Sequence, residues 1–216
     1  MHIIRLTLAA HDLYAANDFY AAKLGLPLLE IDAESITFQV GTTELTFHTS
    51  DHAAQHHIAF NIPENQIEDG FTWINQFAPT MTTDTGDDIA HFAAWNAHSV
   101  YCFDPLGNIL ELIARHDLQN PSHAPFSAES LLSISEVAIP VDDVVTAADD
   151  VVHTTGDPFY LGEYSDTFTA VGDEEGLLIV VKHGREFYPL TGVLAHDVPL
   201  NLCVRGANGH VIDLLG

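Results

Sequence analysis

A histidine and a glutamate stand inside two otherwise apolar segments of this sequence. His57 opens the run His-Ile-Ala-Phe-Asn-Ile, and Glu111 lies at the centre of Ile-Leu-Glu-Leu-Ile. Both segments read as β-strands, and side chains alternate between the two faces of a strand, so Glu111 shares its face with Ile109 and Ile113. A buried carboxylate needs a partner. The pair therefore indicates either a metal site or a buried polar pair.

The elements around Glu111 are set by a tight turn. Asp104, Pro105, Gly107 and Asn108 are turn-forming residues, and they separate two apolar runs at residues 99–103 and 109–114. The sequence thus predicts a hairpin whose second strand carries Glu111 inward.

Composition excludes several classes of partner. The chain has 6 Lys and Arg against 31 Asp and Glu, and protonating all 14 histidines changes the formal charge only from −25 to −11. Such a chain repels a phosphate backbone and an anionic membrane surface. Two cysteines within strands, Cys102 and Cys203, are too few for a disulfide framework. We see no signal peptide and no apolar run of membrane-spanning length, and we expect a cytoplasmic protein.

A unit of one strand, one helix and three strands repeats along the chain. In the first unit we predict a strand at residues 3–9, a helix at 12–24 and strands at 28–31, 35–40 and 43–48. In the second we predict a strand at 56–63, a helix at 64–77 and strands at 81–85, 91–95, 99–103 and 109–114.

A Pro- and Ser-containing stretch at residues 116–130 reads as a linker. A third unit follows, with a strand at 133–140, a helix at 144–151 and strands at 168–171 and 177–182. A truncated fourth unit has only a hairpin at 199–205 and 209–215. We predict an α+β fold with a complete domain at 1–115, built as a cup from two units, and a partial domain at 131–216.

The first 115 residues resemble the vicinal oxygen chelate superfamily of glyoxalases, bleomycin-resistance proteins and extradiol dioxygenases. The resemblance rests on Arg-Leu-Thr-Leu-Ala-Ala-His-Asp-Leu from Arg5, His-Ile-Ala-Phe from His57, and Phe-Asp-Pro-Leu-Gly-Asn-Ile-Leu-Glu-Leu from Phe103. It implies tandem βαβββ modules that form a cup. A weaker resemblance extends over residues 131–216.

The resemblance implies metal ligands on the first and last strands of each module. Those slots hold Arg5, Thr46, His57 and Glu111. Arginine cannot coordinate a metal, so a third ligand is expected from elsewhere.

His48, or else His91, is our candidate for that ligand beside His57 and Glu111. The donors suit Mn, Ni, Fe, Zn or Co. In the alternative structural reading, Arg5 neutralises Glu111 and His57 bonds beside them.

Further candidates surround this site. Trp95, Tyr101 and Phe103 are candidates for the wall of an aromatic pocket, with ordinary core or rim packing as the alternative for each, and Glu111 is a candidate base. Glu136 and Asp213 occupy analogous slots in the second lobe, where two carboxylates without a histidine indicate a structural role.

Three functions are compatible with the sequence. The first is a metal-dependent enzyme that performs isomerase, lyase or dioxygenase chemistry on a small oxygenated molecule. The second is a metal-free ligand-binding protein in which Arg5 grips an anion and the aromatic residues hold it. The third is a scaffold with a closed cup. Either a monomer or a homodimer is compatible with the sequence.

Overall fold

Repeated strand–helix–strand units build two mixed β-sheets in the computed structural model, which describes residues 1–51, 55–190 and 192–214. The strands of the described residues are β1 (His2–Ala10), β2 (Leu28–Ile31), β3 (Ser35–Val40), β4 (Thr43–Thr49), β5 (His57–Ile62), β6 (Ala90–Phe92), β7 (Ala97–Phe103), β8 (Ile109–Arg115), β9 (Ser133–Val141), β10 (Phe168–Asp173), β11 (Gly176–Lys182), β12 (Leu200–Arg205) and β13 (Val211–Leu214). The α-helices are α1 (Leu13–Asn17), α2 (Ile67–Ile74) and α3 (Val144–Thr155). The predicted α+β class and repeated modules are confirmed.

Each complete unit has the same internal topology. Its first strand pairs in parallel with its last strand, so that β1 lies beside β4 and β5 beside β8. The remaining strands extend the sheet outward, in the orders β1-β4-β3-β2 and β5-β8-β7-β6. The third unit follows the same plan with one strand fewer, because β9 pairs in parallel with β11, which pairs with β10.

The pairing between units differs from the prediction. The first sheet joins unit one to the C-terminal hairpin through antiparallel β1 and β12, and the second joins unit two to unit three through antiparallel β5 and β9. The expectation that units one and two form one cup within residues 1–115 is therefore wrong for the described strands. Both sheets cross the expected domain boundary.

Local sequence explains how the first helix begins and ends. The Asp12 carboxylate accepts a hydrogen bond from the Ala15 backbone N–H and so caps α1. A wider π-helical turn, Asp18–Lys23, continues the helix. Gly25 ends it with a positive φ of 81°, a conformation that glycine adopts without strain.

Two predicted strands before β7 are wrong or shortened. Residues 81–85 form no strand and lead into a turn at Asp84 and Thr85. There the Thr83 hydroxyl bonds the Thr85 hydroxyl and accepts from the Asp87 backbone N–H. The strand predicted at 91–95 ends at Phe92, and a 3₁₀ turn, Ala93–Trp95, follows it. Helix α2 is likewise shorter than the predicted 64–77.

One apolar core connects the two sheets. Leu6 and Phe38 of the first sheet and Ile58 and Ile134 of the second belong to the same cluster of buried side chains. The segment expected as a linker packs against this body, because the Phe126 ring lies 5.3 Å from that of Trp73 on α2. No helix in the described residues is long and apolar enough to cross a membrane.

Candidate metal and ligand site

His57 and Glu111 meet on one face of the second sheet. Their strands are adjacent and parallel, and Glu111 lies opposite Ala59, two residues beyond His57 on β5. Residues two apart share a face, and so do residues that pair across strands. The His57 Nε2 atom lies 3.0 Å from Glu111 Oε2. The predicted convergence of these two side chains is confirmed.

Glu136 reaches the same place from β9. It also pairs with Ala59, on the other side of β5, so the small Ala59 side chain stands between two carboxylates. Ligand atoms of His57, Glu111 and Glu136 all lie within 4.8 Å of one another. The sequence had indicated a structural role for Glu136 because it was assigned to a different cup.

Arg115 accompanies Glu136 and was not a candidate at all. It lies four residues after Glu111 on β8, and its Nη2 donates a short hydrogen bond to Glu136 Oε1. The guanidinium carbon stands 5.6 Å from the Trp95 ring centre and 5.9 Å from that of Tyr160. All four residues are buried, with relative solvent exposures of 9% for His57, 3% for Glu136, 2% for Glu111 and 0% for Arg115. An arginine that ends an apolar strand carries no local sign of burial.

Burial and mutual attraction set the protonation of the cluster. Burial and the neighbouring Glu111 charge raise the pKa of Glu136 to about 7, although Arg115 opposes this. For Glu111, burial also acts upward, but the hydrogen bond and charge of His57 hold its pKa below the usual value. Burial disfavours the His57 imidazolium, yet the bond to Glu111 outweighs this and raises the pKa of His57. Without a metal, and above about pH 7, where Glu136 is ionised, the cluster is two compensating ion pairs.

The donor set fits a divalent metal ion. Two ligand atoms about 2.1 Å from one ion and at right angles to each other lie about 3 Å apart, which matches the separation of His57 Nε2 and Glu111 Oε2. Arg115 occupies only Oε1 of Glu136, which leaves Oε2 available. One imidazole and two carboxylates form a mixed hard and borderline set, which suits Mn²⁺ or Fe²⁺.

A cavity of about 300 Å³ opens above this cluster. His57, Glu111, Glu136, Glu163 and Arg185 are its charged or titratable residues, and aromatic side chains provide most of the rest of the wall. The lining aromatic residues are Phe92, Trp95, Tyr101, Phe168, Phe187 and Tyr188. A volume at the lower end of the range for ligand pockets indicates a small molecule.

A paired segment after β11 closes one side of the cavity. Gly184 donates to the Ala195 carbonyl and Ala195 donates back to that of Arg185, each at 2.8 Å, while Phe187 donates to Val193 at 2.9 Å. We call residues 183–190 and 192–195 the flap. At its base, His183 bonds the side chains of two aspartates, which raise its pKa.

Arg5, Thr46 and His48 do not belong to this site. All three lie in the first sheet, Arg5 on β1 and the other two on β4. Arg5 is exposed and pairs with Asp213 at 3.4 Å. Thr46 bonds the Thr37 hydroxyl, and His48 bonds its neighbour's backbone carbonyl. The expectation that Arg5 and His48 lie beside His57 and Glu111 is wrong, because unit one pairs with the C-terminal hairpin.

The other candidates divide between wall and surface. Trp95 and Tyr101 line the cavity, as predicted. Phe103 is 38% exposed at the end of β7 and does not line it. His91 stacks on His98, with ring centres 4.6 Å apart, outside the cavity.

Comparison with known structures identifies the fold. A candidate dioxygenase from Bacillus subtilis superposes with a TM-score of 0.62 at 17% identity, and the match covers 84% of this chain and 63% of that one. The chain has the vicinal oxygen chelate fold. A point variant of glyoxalase I from Zea mays matches over 92% of this chain and 73% of its own, with a TM-score of 0.53 and 13% identity.

The vicinal oxygen chelate fold is shown by structure rather than by sequence. No family model matches the chain, and no curated protein matches it in sequence. The chain spans less than two thirds of the length of the Bacillus subtilis protein.

Proposed function

We propose that this protein is a metal-dependent enzyme that acts on a small molecule with two adjacent oxygen atoms. The observation that carries the proposal is the cluster of His57, Glu111 and Glu136, whose ligand atoms lie within 4.8 Å of one another in a cavity walled by aromatic side chains. Buried groups with perturbed pKa values in a concave, mostly apolar pocket are typical of a functional site.

His57, Glu111 and Glu136 would hold Mn²⁺ or Fe²⁺. When bound, such an ion supplies Lewis acidity toward substrate oxygens and, for iron, access to dioxygen chemistry. Arg115 has a positioning role, because its hydrogen bond fixes the Glu136 carboxylate. Tyr101 and Ser99 stand beside Glu111 and favour its ionised form.

The charges of the cluster favour a monoanionic oxygen ligand. Two carboxylates, the Arg115 guanidinium, a neutral imidazole and a divalent ion together leave one net positive charge. In a desolvated pocket, an uncompensated charge is unfavourable. A substrate that loses one proton restores neutrality, as an enediol or a catechol does. The aromatic walls favour a planar substrate, and among isomerase, lyase and dioxygenase reactions this favours ring-opening dioxygenation.

Metal analysis of the purified protein tests the proposal. After loading with Mn²⁺ or Fe²⁺ and desalting, we expect about one equivalent of metal per chain, because the three donors form one site. His57→Ala is expected to lose it. His48→Ala serves as the matched control, because its imidazole is exposed in the other sheet. Full metal retention in His57→Ala, or equal loss in His48→Ala, would overturn the assignment.

A metal-free ligand-binding protein is the second candidate. The internal pairing of His57 with Glu111 and of Arg115 with Glu136 supports it, because the cluster neutralises itself without an ion. In that case the loaded protein would retain no metal, and His57→Ala would alter stability but not metal content.

A further inference from the structure

One arginine of the cavity wall forms no ion pair with any residue that the structure describes. Arg185 lies on the flap and lines the cavity that contains the metal cluster. The ion pairs of lysine and arginine side chains in the described residues use Arg5, Lys23 and Arg115, and none uses Arg185. The chain has about five times as many acidic as basic residues, so a pocket guanidinium that pairs with none of the described carboxylates is unusual.

Backbone pairing and an aromatic ring hold Arg185 at the cavity. Its backbone bonds Ala195 across the flap, and Phe187, two residues along, also lines the cavity. The guanidinium carbon lies 4.8 Å from the Phe168 ring centre. A stacked guanidinium keeps its in-plane N–H donors free for a planar anion, and a carboxylate is the best match to that geometry.

We propose that Arg185 selects substrates that carry a carboxylate in addition to the two adjacent oxygen atoms. The inference rests on the proposed metal function and adds a second recognition point to the same cavity. The polar cluster on β5, β8 and β9 would receive the oxygen pair, Arg185 on the flap would receive the carboxylate, and the aromatic walls would enclose the ring between them. The substrate class is a small aromatic acid with vicinal hydroxyl groups.

Glu163 places a negative charge in the same cavity, and removing that charge provides a second test. Its side chain lines the same cavity but forms no ion pair with Arg185 in the described structure. A carboxylate there repels an anionic ligand and competes for Arg185. Glu163→Gln should therefore tighten the binding of an anionic ligand and leave the binding of its neutral analogue unchanged.

Two ligands of nearly equal shape, one anionic and one neutral, separate the effect of ligand charge on affinity from the effect of ligand shape. We would measure the affinity of manganese-loaded protein for 3,4-dihydroxybenzoate and for the neutral 3,4-dihydroxybenzamide by calorimetry. We expect the benzoate to bind roughly tenfold to a hundredfold more tightly, the range that a charge-assisted hydrogen bond supports. Arg185→Gln should reduce that ratio to about one, because only the charged contact is lost, with the benzamide affinity unchanged. Arg205→Gln, an exposed arginine on β12 of the first sheet, is the matched control.

The outcomes separate this inference from the proposed function. Equal affinity for the two probes, or a ratio that survives Arg185→Gln, overturns the role of Arg185 while the metal site stands. Binding of neither probe by protein that contains one equivalent of metal overturns the substrate class alone. Absence of metal overturns the proposed function, and this inference with it.

Discussion

Replacing Arg115 with methionine should destabilise the metal-free protein by an amount that grows with pH. The guanidinium is fully buried, pairs with Glu136 and lies near two aromatic rings. At pH 6, Glu136 is protonated even in the native protein, because burial and Glu111 raise its pKa to about 7. The expected loss there is about 1–2 kcal/mol, from packing and cation–aromatic contact.

Above pH 7 the loss of unfolding free energy caused by Arg115→Met becomes larger, and proton linkage gives the direction of this change. Native Glu136 releases its proton near pH 7, whereas without Arg115 the folded variant keeps it. The unfolded chain has already lost that proton at its ordinary, lower pKa. The free energy of unfolding of the variant therefore falls by about 1.4 kcal/mol per pH unit relative to the native protein, or about 3 kcal/mol from pH 7 to pH 9.

Urea unfolding in chelator at pH 6, 7, 8 and 9 measures this difference. The double variant Arg115→Met with Glu136→Gln is the control, because its amide cannot titrate. Its deficit should shrink by about 1 kcal/mol between pH 6 and pH 7, where native Glu136 still loses its proton, and should not grow above pH 7. A deficit of the single variant that is constant from pH 6 to pH 9 would show that Arg115 does not control the ionisation of Glu136. So would the same pH slope in the double variant.

Three further predictions follow from the site and its supports. His183→Asn should lower the free energy of unfolding by less than about 1 kcal/mol. Because the aspartate partners raise the pKa of His183, this loss is full below pH 6.5 and disappears as the pH rises through the higher pKa of the folded state. Urea titrations at pH 6 and pH 9 would test this. Tyr101→Phe removes a hydroxyl that favours ionised Glu111, so metal affinity should fall about tenfold in a chelator competition assay. Ala59→Val places bulk between the two carboxylates and should cost about 1–3 kcal/mol in thermal unfolding together with loss of bound metal; unchanged metal content would contradict the geometry.

Local pattern in the sequence was sufficient for the elements and for one pair of site residues. The alternation around His57 and Glu111 predicts that both point inward, and the parallel pairing of β5 with β8 brings them together. The predicted strands at residues 28–31 and 35–40 match the structure at both ends. These features depend on neighbouring residues, which the sequence shows directly.

Partners from distant units could not be predicted in the same way. The pairing between the first strands of different units depends on the core that both sheets share. The pairing of β5 with β9, instead of with β1, therefore left no signal in the neighbouring sequence. Glu136 therefore entered the site and Arg5 left it. Arg115 was missed because an arginine at the end of a strand usually reaches solvent, and its burial depends on Glu136.

Anomalous diffraction from crystals of manganese-loaded protein would locate the metal directly. We expect one peak bounded by the imidazole of His57 and the carboxylates of Glu111 and Glu136, with Arg115 still bonded to Glu136. A protein that takes up manganese and shows its peak elsewhere, with these side chains still paired as two ion pairs, would contradict this expectation.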